Sequence, residues 1–175
     1  RQDLQTTVYQ NGDAIATPAT SAAWTAAEEP MYIAGQGGHF YNAFVALDER
    51  NVCPSGYVAP SKEEFEALSA YIQTQGWDYQ ALKAQSGWDG SVGTNESGFT
   101  SLSAGYIDNS SWSFQNSTMA GYWTSTQYSP SNNFYLYVSS GSFSVNGTHQ
   151  KKGYRLRCLK STPGCTDLEA CNYES

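Results

Sequence analysis

Charge is scarce in this chain. Lys, Arg, Asp and Glu together make up 14% of its 175 residues, and the formal net charge is −7. Five bases, Lys151, Lys152, Arg155, Arg157 and Lys160, cluster late in the sequence against a neutral background, so no basic stripe exists to follow a phosphate backbone. That excludes nucleic acid as a partner. No apolar run approaches the ~20 residues of a membrane-spanning helix, so no membrane span is expected. The chain opens on Arg1 with neither an initiator Met nor a signal-peptide pattern, which reads as a processed start. Cysteine is limited to Cys53, Cys158, Cys165 and Cys171, with no C-x-x-C pair, and the two histidines, His39 and His149, stand far apart. A zinc site is disfavoured on that pattern. The even cysteine count in a low-charge chain favours disulfides over free thiols and an oxidising, extracellular setting. Four cysteines allow three pairings, all open at this point.

Aromatic residues are as abundant as charged ones, at 14%, with thirteen Tyr and five Trp. Combined with frequent Ser, Asn and Gly, they describe the surface of an extracellular binding protein, where rigid rings give contact area at low entropic cost. Others among them fill a core, as Trp123 does by expectation.

The richest segment is NVCPSGYVAPSKEEFEAL, residues 51–68. Ser61 is a helix N-cap, and Glu64 three residues later completes a capping box, while Pro60 stops the preceding extended stretch. Phe65, Leu68 and Ile72 then line one face of a helix over about Lys62 to Thr74, and Gly76 ends it. Upstream, Thr7–Tyr9 reads as an edge strand before an Asn11-Gly12-Asp13 turn, Ser21 as the cap of a short helix ended by Pro30, Gln36–Gly38 as a turn, and HFYNAFVAL as a strand or short helix. Residues 77–115 form a long Gly/Ser/Asn-rich loop region.

The last third reads as an antiparallel meander of four runs, Gly121–Ser125, Asn133–Val138, Ser142–Val145 and Gly153–Cys158. Alternation in NFYLYV places Phe134, Leu136 and Val138 on one side and Tyr135 and Tyr137 on the other, as an exposed pair. The fold class is therefore α+β: one main helix, long loops and a late antiparallel meander. Pro163-Gly164 breaks the chain, which divides it into a domain over residues 1–162 and a short piece over 163–175.

Four segments, TTVYQNGDAI, FYNAFVALDERNVCPSGYVAPSKEEFEAL, LKAQSGWDGSVGTNESGFTSLSAGY and YWTSTQYSPSNNFYLYVSSGSFSVNGTHQKKGYRLRCLK, together resemble the Fibrobacter succinogenes major paralogous domain, a family of secreted and surface modules. The resemblance implies a C-type-lectin-like fold, of the branch that includes sulfatase-modifying factors and retroelement-diversified binding proteins. It also implies a Cys53–Cys158 disulfide joining the helix start to the final strand. The tail GCTDLEACNYES resembles the opening of a short Cys-rich repeat of large secreted proteins, with Cys165 and Cys171 paired locally or with a neighbouring repeat.

Catalytic constellations are thin. No nucleophile-elbow sequence accompanies the many serines, and nothing fixes the separation of Asp78, Asp89, Glu96 and Asp108 as an acid/base pair. The formylglycine-generating relatives use paired reactive cysteines near the last strand, but the resemblance here gives Cys158 a partner in Cys53. No cofactor is expected. Oxygen-rich loops carrying Asp78, Asp89, Asn95, Glu96 and Asp108 hold the ligand types calcium prefers, without a lectin-type calcium tripeptide. The two Gly-Trp-Asp motifs, at Trp77 and Trp88, read as loop anchors, and the Asn-x-Ser/Thr sequons at Asn95, Asn109, Asn116 and Asn146 mark exposed loops. The expected function is a non-enzymatic extracellular or cell-surface binding and adhesion module for a glycan or surface protein. The alternatives are a self-associating structural subunit and a formylglycine-generating-type enzyme. The expected binding surface comprises Tyr122, Tyr128, Asn132, Asn133, Tyr135, Tyr137, Asn146 and His149.

Overall fold

The computed structural model describes residues 3–35, 37–90, 92–110, 114–115 and 118–161. The tail with Cys165 and Cys171, its resemblance to a repeat, the residue Gln36 and the sequon at Asn116 lie outside the described residues.

The main helix, α3, runs Lys62–Thr74, as its sequence predicts. The Glu64 amide donates to Ser61 Oγ at 3.2 Å, and the Ser61 amide donates to Glu64 Oε2 at 2.6 Å. Two backbone donors that a helix start leaves unpaired are thereby satisfied. Gly76, at φ +70°, takes the left-handed turn that ends the helix. Ser61→Ala is expected to cost about 1 kcal/mol in urea unfolding. An unchanged midpoint would mean the helix is held by packing alone.

Upstream elements are short. Helix α1, Ser21–Ala26, is capped by Thr20 rather than by Ser21: Thr20 Oγ1 accepts from the Ala23 amide at 3.1 Å. Strands β1, Tyr32–Ile33, and β2, Phe40–Tyr41, pair antiparallel, and β2 passes directly into helix α2, Ala43–Leu47. HFYNAFVAL is thus both strand and helix, divided at Asn42. The buried Asn42 side chain accepts from the Met31 amide at 3.0 Å and donates to the Glu29 carbonyl at 2.8 Å, clamping the junction.

Strand β3, Tyr57–Val58, pairs with β9, Leu159–Lys160, at the far end of the chain. That pairing brings Cys53 and Cys158 together in a disulfide, with Cα atoms 5.7 Å apart across 105 residues. Between them lie a 3-10 turn at Tyr79–Leu82 and the pair β4, Tyr106–Ile107, with β5, Phe114–Gln115.

The central sheet is β6, Met119–Ser129, β7, Asn132–Ser139, and β8, Phe143–His149, each antiparallel to the next. The fourth expected run leaves this meander. Gly153, Tyr154 and Arg155 make single bridges to Ile107, Tyr41 and Tyr122 in turn, the last of them parallel, so the segment threads between elements.

Both faces of the sheet are covered. Tyr122, Leu136 and Val138 pack with Phe65 and Ile72 of α3 and with Leu82 and Trp88. On the other face Trp123 packs with Tyr41, Val45, Tyr154 and Leu156. This corrects the expectation that Tyr135 and Tyr137 form an exposed pair: both are half-buried against that second core. The returning segment is the reason, because the Tyr154 ring lies over Gly121 and stacks on Tyr135 at 4.6 Å with planes 13° apart. Arg155 and Arg157, two of the five bases clustered late in the sequence, are buried as well.

Candidate functional site

The residues expected to form one binding surface fall in four places. Three are scaffold. Tyr122 is fully buried, its hydroxyl 3.0 Å from Ser101 Oγ, and burial pushes its pKa up to about 12. Trp123 is fully buried and donates from Nε1 to the Tyr41 carbonyl at 2.7 Å. Asn133 is buried and donates from Nδ2 to the Thr124 carbonyl at 2.7 Å, where the β6–β7 register slips. Its amide holds the bulge that the extra residues of β6 create.

Tyr128 stands on the α3 side, 58% exposed, with its ring edge-on to Phe134 at 4.8 Å and lying against Gly147. Asn132 and His149 face each other at the far end of β7 and β8. His149 Nδ1 accepts from the Lys151 amide at 3.2 Å, and burial, then Lys151 and Lys152, lowers its pKa.

Tyr135, Tyr137 and Asn146 do come together. Alternation along β7 puts both tyrosines on one face, their rings edge-to-face at 6.4 Å. The register sets Asn146 opposite Tyr135, Ser144 opposite Tyr137 and Thr148 opposite Asn133, so β8 lines the tyrosines with amide and hydroxyl groups. Asn146 is exposed and donates to Ser144 Oγ at 2.8 Å. A third half-buried ring, Tyr106 of β4, joins through Tyr154, 5.7 Å away, and Lys152 Nζ stands 4.9 Å over it. The result is a face of three tyrosines, rimmed by Ser144, Asn146 and Thr148 and carrying one cation. Burial raises the pKa of Tyr135 and of Tyr154 beneath it, so both phenols stay neutral and able to donate and accept.

Tyr106, Ser144, Thr148 and Lys152 were not among the residues expected from sequence. Alternation in SFSVNGTH carries the signal for Ser144 and Thr148, which share a face with Asn146. Nothing local could have placed Tyr106, which is positioned by the bridges of Gly105 to Ala120 and of Ile107 to Gly153.

The oxygen-rich loops are occupied locally. Asp78 Oδ1 accepts from the Gln80 amide at the 3-10 turn, Glu96 accepts from Thr94 Oγ1, Asn95 accepts from the Thr100 amide and hydroxyl, and Asp108 accepts from Ser110. Among the described residues no three of His, Cys, Asp and Glu converge on a common point. Trp88 anchors its loop by donating from Nε1 to the Ser101 carbonyl at 2.9 Å. A cleft of about 360 Å³ lies between α3 and the loop at Phe99. Its floor, Arg157, is engaged by Asp3 at 2.6 Å and by the carbonyls of Phe99 and Thr100, so this guanidinium serves the fold.

The family model described as the Fibrobacter succinogenes major domain matches residues 1–160. No curated protein and no solved structure matches the chain.

Proposed function

The chain belongs to the Fibrobacter succinogenes major domain family, and from that membership and the tyrosine face we propose a non-enzymatic binding and adhesion module, working outside the cell or on its surface and recognising a glycan or a surface protein. The observation that carries this reading is the Tyr106, Tyr135 and Tyr137 array with its rim of Ser144, Asn146 and Thr148. Tyrosine rings offer flat apolar faces for the C–H surface of a sugar or for a protein side chain, and their hydroxyls hydrogen-bond at the edges. Few rotatable bonds must be frozen to do so, which limits the entropic cost of binding. The scaffold beneath is braced: the rings rest on Tyr154 and Trp123, and a disulfide joins the segment before α3 to the segment before β9. One main helix, long intervening loops and a late antiparallel sheet also accord with a C-type-lectin-like architecture. A disulfide fits an extracellular site.

Catalysis of the formylglycine-generating type finds no support in these residues. Cys158 is bound to Cys53, which denies it the thiolate that such chemistry needs. The loop carboxylates are spent on turns rather than gathered around a reacting atom.

The test is a screen of the full chain against glycans and surface polymers, with and without calcium. Retention on one chemical class, unchanged by a chelator, is the expected result. Retention that vanishes with the chelator would move the site to the acidic loops, and no retention on any surface would defeat the binding reading.

A further inference from the structure

Strand β8 ends the central sheet, and no described residue pairs with its outer edge. The two-residue turn after β7 closes with the Ser139 amide donating to the Ser142 carbonyl at 2.8 Å. Because the bonding groups of an antiparallel strand alternate, Ser144, Asn146 and Thr148 then bond inward to β7. The amides and carbonyls of Phe143, Val145 and Gly147 point outward, and no described residue hydrogen-bonds to them. Exposed edges are ordinarily blunted by charge, proline or a bulge. Between Ser142 and His149 there is no Asp, Glu, Lys, Arg or Pro, and the register with β7 runs unbroken from Val138–Phe143 to Asn132–His149.

We propose that this edge pairs with β8 of a second copy of the chain, antiparallel about a two-fold axis at Val145. The strand is complementary to itself in that register. Phe143 falls opposite Gly147 of the second copy, a large side chain beside a position with none. Gly147 is exposed, and the chain's own Tyr128 ring lies over it, 2.9 Å from where a Cβ would stand, so Phe143 of the second copy would meet that ring. On the other face Ser144 falls opposite Asn146 of the second copy, two uncharged groups able to hydrogen-bond. All three outward residues enter bonded pairs, with Val145 meeting itself. An axis perpendicular to the sheet leaves the two tyrosine faces on the same side, so the six-stranded product doubles the proposed binding surface. The pairing itself rests only on the β8 edge and stands apart from whether the tyrosines bind anything.

Sedimentation of the full chain from micromolar to millimolar concentration tests it, with two double variants. Ser144→Lys/Asn146→Lys and Ser144→Asp/Asn146→Asp each set like charges opposite one another and should weaken dimerisation about tenfold or more. An equimolar mixture of the two sets opposite charges together and should restore a dimer. Thermal unfolding of each variant reports its fold. Independently of any variant, amide exchange at Val145 and Gly147 should slow as wild-type concentration rises. A chain monomeric at millimolar concentration, a dimer indifferent to both variants, or exchange at these amides independent of concentration would each overturn the proposal.

Discussion

Replacing Cys53 and Cys158 together with alanine is expected to lower the unfolding free energy by about 4–5 kcal/mol. The bond closes a loop across a sequence separation of 105, so it removes a large share of the denatured chain's freedom. In the folded state it joins the segment before α3 to the segment before β9. The β3–β9 pairing it accompanies is only two residues long on each strand. Domains of this size are held by about 5–15 kcal/mol in total, so the loss is a major fraction. Urea unfolding of the oxidised wild type against the double variant measures it. A difference below about 1 kcal/mol would mean that the denatured chain is already compact, or that β3 and β9 hold without the bond.

Trp123→Ala is expected to cost about 3–5 kcal/mol. The ring has no exposed surface and packs edge-on to Tyr154 at 4.9 Å and to Tyr135 at 6.2 Å, so its removal empties the core beneath the tyrosine face. Tyr135 and Tyr154 would tilt into the space, and the face should lose its geometry with its stability. Trp123→Phe keeps most of the packing and loses the bond to the Tyr41 carbonyl, which also accepts from the Tyr154 amide. Its cost should be about 1 kcal/mol. The two variants compared by thermal unfolding separate cavity from hydrogen bond. Equal costs would contradict the packing account.

What the sequence made legible follows the range of the interactions involved. The capping box of Ser61 and Glu64 is local, and it placed α3 at its observed start. The alternation of β7 is local too, and it correctly put Tyr135 with Tyr137 and Leu136 with Val138. Whether a face is open depends on what crosses it, and that is not local. Tyr154 reaches Tyr135 only because Gly121 has no side chain; a Cβ there would meet the ring at 2.1 Å. The run Gly153–Cys158 has the composition of a strand, yet its partners are residues from three separate segments. Asn133 looked like a surface amide by composition, whereas the register slip in β6 gives it a buried carbonyl to hold. The cysteine pairing came from the resemblance to a family, since spacing alone left it open.

The central claim is that the tyrosine face binds, and paired single substitutions on it are the most direct measurement. Tyr106→Ala and Tyr137→Ala each remove a half-buried ring from the face while leaving Trp123 and Tyr154 in place. Titration of the ligand class found in the screen should show affinity reduced about tenfold or more by each, with a cooperative thermal transition retained. Wild-type affinity in both variants, with the fold intact, would contradict the account and move recognition off this face.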